Sequence, residues 1–332
     1  MPLVSVLLTV ARRTDYLDAA IRSVLNQTCP DFELIVTDDA NSPAARAICA
    51  RFAADPRLRY RANCSPLGMP LNLAAALRDT RAPLLTILND DDFLAPSMLG
   101  SLLGPLQRHP EVDVAFGARW LIDARGCVLD APTRATARLW RRAGLQPGLV
   151  ADPFRLALRG VVFLVMGALV RNTAFDPAWL VPNVEGAYDH WLTLRLARAG
   201  RPFFFLDRQL FYYRLHPGSE SARVAPEKAA CQVYVLSSLL RENLSLGERV
   251  AVEDSLAAYL FTLGRDRLYF GNPPAARAAF AASARLRPRL KTVAGLFLTL
   301  LPGRPRRRLF RAWRTLRGIA TPLPGRADAA VS

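Results

Sequence analysis

Three consecutive aspartates, Asp90, Asp91 and Asp92, close the apolar run of LTILNDDDFLAP, residues 85–96. Crowding like charges at one strand end costs free energy, so such a cluster calls for a compensating cation. Hard carboxylate oxygens suit Mg2+ or Mn2+, with the oxygens of a bound diphosphate completing the octahedron. The same residues also fit a solvated acidic turn capping the helix that starts near Pro96. A second acidic pair, Asp38-Asp39, ends the run Phe32–Thr37. A third carboxylate, Asp189, lies in VEGAYDHWLTLRLARAG (184–200), where Trp191, Leu194 and Leu196–Ala197 form a helical packing face. At that helix N-terminus the dipole stabilises a carboxylate by ~0.3–1 kcal/mol, with or without a chemical duty. His216 sits in FYYRLHPGSESA (211–222), two residues after Arg214. A neutral imidazole there can ligate a metal or donate to a bound diphosphate, and Arg214 can help neutralise that group. A turn histidine ahead of Pro217-Gly218 is the plainer alternative.

These residues need a scaffold. Residues 3–10 (LVSVLLTV) read as a strand, followed by a helix carrying Leu17, Ala20, Ile21, Val24 and Leu25, with Thr14 or Asp15 as its N-cap. Then come the strand Phe32–Thr37, a polar turn, a helix with Ala45, Ile48 and Phe52, and the strand Leu58–Arg61. A Gly/Pro turn (Ser65–Pro70), a helix through Leu71–Leu77 and the strand Pro83–Leu88 complete the alternation. Strands alternating with helices imply an α/β class and a mostly parallel, Rossmann-like sheet flanked by helices. Ligands of such sheets bind at the carboxyl ends of strands, where Asp38-Asp39 and Asn89–Asp92 fall. Further on, Val161–Val170 reads as a strand, Asp189–Ala199 as a helix and Phe203–Phe211 as a strand.

In order along the chain, VSVLLTVARRTDYLDAAIRSVLNQTCPDFELIVTDDANS, NCSPLGMPLNLAAAL and LNDDDFLAPSML closely resemble the nucleotide-sugar half of family-2 glycosyltransferases with a GT-A fold. The resemblance is strong over residues 3–105 and moderate over 160–222. It implies that the strand end Thr9–Ala11 lines the nucleobase, that Asp39 accepts a hydrogen bond from the base and that Asp38 supports the turn. Asn72 joins the nucleotide-sugar contacts, Asp90 lies near the ribose and sugar, and Asp91 reaches the metal on the diphosphate. His216 joins Asp91 at that metal. Asp189 becomes the catalytic base, with Glu185 the alternative because the usual acidic pair falls at Gly186-Ala187. His190 is read as a packing residue or supporting donor. Asn89 stands where the family has Asp, Ala11-Arg12 where it has aromatic-Asn, and Leu71 where an Arg often precedes Asn72. Arg12 or Arg13 then supplies the missing cation.

The implied reaction is an inverting transfer of a sugar from a nucleoside-diphosphate donor to a hydroxyl of a glycan or lipid-linked acceptor, dependent on Mn2+ or Mg2+. One carboxylate deprotonates the acceptor while the metal and nearby cations stabilise the leaving diphosphate. A glycoside hydrolase would need two facing carboxylates and no nucleotide pocket. Two rivals remain: a nucleotidyltransferase, although no Gly-rich basic loop lies near the N-terminus, and a non-catalytic nucleotide-sugar-binding scaffold.

Length and charge bound the rest. The 332 residues, 51% hydrophobic and 22% charged, exclude global disorder and allow one large or two ordinary domains. Cysteines at 29, 49, 64, 127 and 231 are scattered and odd in number, against a disulfide framework or structural zinc and for a reducing compartment. No signal peptide is read at the N-terminus, and Val161–Val170 and Val293–Leu301 are too short to span a bilayer. A cytoplasmic protein is expected, with the catalytic domain over 1–222 and a helical region over 223–332. In that region Leu263-Gly264, Gly271, Ala276, Phe280, Leu286 and Pro288 match one tetratricopeptide-like helix pair. Such a pair cannot bury its own faces and should pack on the catalytic domain or another chain. From Arg289 onward, nine Arg and one Lys face only Asp328, which places +9 of the net +16 in the tail. Over 302–318, Leu309, Ala312, Trp313 and Leu316 fall opposite Arg307, Arg308, Arg311 and Arg314, with Phe310 at the rim. That pattern suits a helix lying peripherally on an anionic membrane face, or one packing on the catalytic domain. Nucleic acid is not an expected partner, since no helix-turn-helix, RNA-binding aromatic signature or zinc finger is present.

Overall fold

The computed structural model describes residues 1–11, 13–159, 167–219, 226–302 and Pro305. The chain divides into two compact units, Met1–Leu215 and His216–Ser332.

The first unit opens with β1 (Val4–Val10), whose seven residues are all buried. After α1 (Leu17–Leu25) and the equally buried β2 (Phe32–Asp38) come α2 (Pro43–Ala50), β3 (Leu58–Ala62), α3 (Met69–Leu77) and β4 (Leu84–Asn89). The chain continues through β5 (Phe93–Leu94), α4 (Met98–Arg108), β6 (Val114–Ile122), α5 (Asp130–Ala143), β7 (Gly148–Leu149) and α6 (Pro153–Leu158). It closes with β8 (Ala168–Arg171), α7 (Tyr188–Arg198) and β9 (Phe203–Arg214). The sheet order is β3-β2-β1-β4-β8-β6-β9-β5, with β7 paired to β9. β1, β2, β3 and β4 run parallel, as do β6 and β9, while β8, β5 and β7 pair antiparallel. Strands covered on both faces read as unbroken apolar runs, which is why VSVLLTV and LLTIL were legible. The register sets Thr9 beside both Thr37 and Asn89, and Val10 beside Asp38. Three polar strand ends therefore meet at one edge.

Local chemistry moved several boundaries. The N-cap of α1 is Tyr16, not Thr14 or Asp15; the Thr14 carbonyl instead accepts the Leu17 N–H at 3.2 Å. Ser42 caps α2, and Pro43 begins it. That helix ends before Phe52, which lies in the following turn. Of the strand expected over Val161–Val170, Ala168–Val170 belong to β8, while residues 161–166 lie outside the described part.

The second unit contains α8 (Pro226–Leu239), α9 (Leu246–Tyr269), α10 (Pro273–Leu286) and α11 (Leu290–Leu300). A reciprocal Ser245/Glu248 capping box starts α9. The expected helix pair is α9 with α10: a Cβ on Gly264 would lie 2.7 Å from the buried Phe280 ring, so only Gly permits that approach. Two further helices of the same unit pack on this pair. Leu298 of α11 joins Phe261, Leu268, Ala276 and Phe280, and Ala229 of α8 joins Leu263 and Ala279, so each flanking helix buries part of the pair. Residues 303–304 and 306–332, with the basic amphipathic segment, lie outside the described residues. No described helix is long and apolar enough to cross a membrane.

Candidate active site

The β1, β2 and β4 ends carry the site. At the end of β2, Asp38 accepts the Ala40 and Ser42 amides at 2.9 and 2.7 Å and the Tyr60 hydroxyl at 2.8 Å. Its carboxylate fixes the turn into α2. Asp39 is buried and accepts three hydrogen bonds: from Asn63 Nδ2 and the Leu67 amide at 2.8 Å each, and from the Gly68 amide at 3.0 Å. Gly68 has φ +80, the left-handed conformation with which this turn enters α3. Asn72 is buried in the seam behind. Its Oδ1 accepts Thr37 Oγ1 at 2.6 Å and Asn63 Nδ2 at 2.9 Å, and its Nδ2 donates to the Thr37 carbonyl at 3.3 Å. Asn72 therefore positions Asn63, which in turn holds Asp39.

The β4 end is built differently. Thr9 Oγ1 and the Tyr188 hydroxyl both donate to Asn89 Oδ1, at 3.2 and 3.1 Å. Ala11, exposed, gives its backbone N–H to Asp90. Burial and the neighbouring Asp91 charge push Asp90 up to about 7, against the pull of Arg13 and that amide. Arg13 Nη2 lies 3.1 Å from Asp91 Oδ2 and 3.9 Å from Asp90 Oδ1. Arg12 lies outside the described residues.

Asp92, almost wholly buried, accepts the Arg214 amide on Oδ1 at 2.8 Å, while its Oδ2 has no hydrogen-bond partner among the described residues. Burial, and then Asp91, hold its carboxyl well above the usual range. The expectation that Arg214 serves the diphosphate is corrected. Its Nε donates to the Asp91 backbone carbonyl at 2.7 Å and its Nη1 to the Asp123 and Ala124 carbonyls at 3.1 Å, with Tyr16 stacked on it. It clamps the acidic loop from behind.

Asp189 lies in the first turn of α7 and is partly open to solvent, its Oδ1 accepting the His190 amide at 2.7 Å. The preceding residue, Tyr188, ties this helix start to Asn89 and thus to β4. Burial, then the Asp189 charge, drives the Tyr188 hydroxyl well above its usual pKa, so it stays a donor. Glu185 sits elsewhere: it is exposed, and its carboxylate covers the Gly68 turn, 3.4 Å from where a Gly68 Cβ would lie. His190 is buried, with Nε2 3.2 Å from the Ala157 carbonyl, which joins α7 to α6 as a packing residue would. His216 begins the second unit, buried, its carbonyl accepting the Ser219 amide and hydroxyl.

Sequence reading passed over Tyr188, Asn63 and Arg119, and gave Asp92 no role apart from the acidic cluster. The Arg119 guanidinium lies 5.2 Å from the Trp140 ring and 5.0 Å from that of Tyr213. Burial pushes its pKa down, while the charges of Tyr213, Asp92 and Asp189 pull it up. Only an aromatic residue near a lone strand arginine hinted at it.

A model of "Glycosyl transferase family 2" matches residues 5–126, which span this edge from β1 past the acidic loop. The GalNAc(5)-diNAcBac-PP-undecaprenol beta-1,3-glucosyltransferase of Campylobacter jejuni is 31% identical over 269 residues, 78% of this chain and 81% of that protein. The chain belongs to glycosyltransferase family 2. The uncharacterized glycosyltransferase MJ1057 of Methanocaldococcus jannaschii is 30% identical over 131 residues, 39% of this chain, and the chain spans only 45% of its length. Among solved structures, S. aureus TarS 1-349 in complex with UDP-GlcNAc superposes with a TM-score of 0.65 at 15% identity, covering 90% of each chain. The mannosyltransferase PcManGT from Pyrobaculum calidifontis, in complex with GDP-Man and Mn2+, gives 0.58 at 16% identity, covering 95% of this chain and 87% of that one. These establish the GT-A fold of the family 2 chain: a mixed, mostly parallel sheet flanked by helices, followed by a helical region.

Proposed function

We propose that this family 2 member transfers a sugar, with inversion, from a nucleoside-diphosphate sugar to a hydroxyl of a glycan or lipid-linked acceptor. The observation that carries the reading is the tether between two carboxylate sites: Tyr188 joins the start of α7, where Asp189 is partly open, to Asn89 beside Asp90 and Asp91. Asp189 is assigned as the base that takes the acceptor proton, in line with a leaving diphosphate. Glu185 covers the Gly68 turn instead, which supports Asp189 over it. Asp39 and its loop, with Thr9 and Ala11, are assigned to the nucleobase, and Asp90 to the ribose and sugar. Asn72 acts on the donor through Asn63 and Asp39.

The acidic loop fits a divalent cation. Its donors are hard oxygens, and Asp91 already attracts a positive group. Among the described residues no three His, Cys, Asp or Glu side chains converge on a ready-made cage, so donor phosphates would complete the shell. Asp91 would hold Mn2+ or Mg2+, which when bound supplies charge stabilisation to the leaving diphosphate. The complex of PcManGT with GDP-Man and Mn2+ supports this, and the undecaprenol-linked glycan in the name of the Campylobacter enzyme supports a lipid-linked acceptor. We assign the catalytic domain to 1–222 and the helical region to 223–332. We place the protein at the inner membrane face, peripherally: the tail carries +9, and α11 exposes Leu290, Val293, Phe297 and Leu300.

The test is a panel of UDP-, GDP- and dTDP-sugars with Mn2+ or with chelator, read as nucleoside diphosphate released. Metal-dependent release from one donor class is expected. No release from any donor, with no nucleotide-sugar binding by calorimetry, would refute the reading.

A further inference from the structure

Among the described residues, Arg214 and Arg13 both bond to the acidic loop, and they do different things. Arg214 gives its N–H groups to backbone carbonyls, of Asp91, Asp123 and Ala124. Arg13 instead meets carboxylates, 3.1 Å from Asp91 and 3.9 Å from Asp90. Its side chain is 32% exposed and that of Asp91 only 12%, so Arg13 enters from the solvent side onto an enclosed anion. It follows β1 in the segment before α1, close to where the nucleotide is assigned.

From this geometry we infer that Arg13 holds the place of the divalent cation in the donor-free protein, so that cation and nucleoside diphosphate load together. The inference rests on the reading that Asp91 takes the cation. A cation arriving alone must displace a guanidinium from the same carboxylate oxygen. In return it meets no three-ligand His/Cys/Asp/Glu cage among the described residues. A diphosphate alters both sides of that exchange. Its oxygens complete the cation's coordination, and its negative charges offer the displaced Arg13 a partner that suits the planar guanidinium fork. The partly exposed Arg13 side chain can make that exchange by rotation, leaving the sheet untouched. Arg13 thereby sets the loading order, and it stands for the phosphate-binding cation absent at Leu71.

Calorimetry of the full chain with Mn2+ alone, then with Mn2+ in the presence of UDP or GDP, tests this. Arg13→Gln should bind Mn2+ alone about tenfold more tightly than wild type, in the range of ordinary coupling between sites. Added nucleotide should raise Mn2+ affinity more in wild type than in the variant. Arg13→Lys, which keeps a cation, should follow wild type, and Arg13→Met serves as a second neutral variant if the Gln form fails to fold. If the neutral variants bind Mn2+ alone no better than wild type, while all bind it with nucleotide, the place-holding role is overturned and the cation reading stands. If Asp91→Asn binds Mn2+ as wild type does in both conditions, the cation reading falls, and this inference with it.

Discussion

Around Asp39 the sheet edge is electrostatically settled, whereas around Asp90–Asp92 it is not. Asp39 has three donors and Asp38 has three, and Asn63 and Asn72 tie Asp39 to Thr37 through hydrogen bonds of 2.6–3.3 Å. Farther along the chain, Asp90 is pushed to about 7, burial holds Asp92 well above the usual carboxylate range, and one Asp92 oxygen lacks a partner among the described residues. The first region is a finished cradle that shapes a loop before any ligand arrives. The second concentrates charge that a bound cation would relieve, and perturbed carboxylates of this kind cluster at functional sites. Mutations should therefore split: those in the acidic region should cost chemistry, those in the cradle stability and donor affinity together.

The largest effect is expected at Asp91. Asp91→Asn removes a negative charge from a strand-end loop without emptying a core position, so the fold should survive. Turnover of the donor identified by the panel should fall below detection, and Mn2+-dependent binding of the nucleoside diphosphate should weaken sharply. Unchanged metal-dependent binding in calorimetry would remove Asp91 from that role. Next comes Asp189→Asn, expected to lower kcat by ~10²–10⁴-fold, as loss of a general base does, while donor affinity stays near wild type. Glu185→Gln should keep most activity. If Glu185→Gln is the inactive form and Asp189→Asn turns over normally, the two assignments are reversed.

The contrast also explains what could be read from the sequence. Apolar runs such as VSVLLTV announce buried parallel strands because both faces are covered, and Asp38-Asp39 and Asn89–Asp92 then fall at strand ends by counting alone. Partners across long separations are a different matter. Tyr188 meets Asn89 from 99 residues away, and no local pattern marks a tyrosine as a tether rather than a packing residue. Arg214 was visible as a cation, but its commitment to three backbone carbonyls depends on how β9 lies beside the acidic loop. The N-terminus of α1 misled for a local reason: Thr14 uses its backbone carbonyl, so a good capping side chain does not mark the start. The helix pair was legible from Gly264, Ala276 and Phe280, whereas the packing of α8 and α11 on it required the fold.

In the cradle, Asp39→Ala should show the other signature. It strips acceptors from the Leu67 and Gly68 amides and from Asn63 Nδ2, and leaving partly buried donors unanswered costs about 1–3 kcal/mol. Water reaching the loop offsets part of this. Tm by calorimetry should fall by several degrees, and KM for the donor should rise together with the loss of stability, with kcat reduced much less than in Asp189→Asn. A variant with unaltered Tm would show that Asp39 does not hold the 63–68 loop in solution.

The smallest effect, and the one most dependent on pH, is expected at Asp92. Its folded pKa is raised above the unfolded value of 3.8, chiefly by burial. The sign follows: a group protonated more readily in the folded state adds stability below the unfolded pKa, and that contribution is lost as pH rises through the folded pKa. Asp92→Asn resembles the protonated acid. It keeps an Oδ1 acceptor for the Arg214 amide, and its neutral amide replaces an oxygen that has no partner among the described residues. In chelator, wild type and variant should therefore unfold at similar temperatures near pH 4. Above that, the variant should become progressively the more stable, by at most about 1.4 kcal/mol per pH unit. The opposite trend, with wild type gaining on the variant as pH rises, would mean that Asp92 is charged and paired in the fold, and the contrast between the two regions would lose its sharpest point.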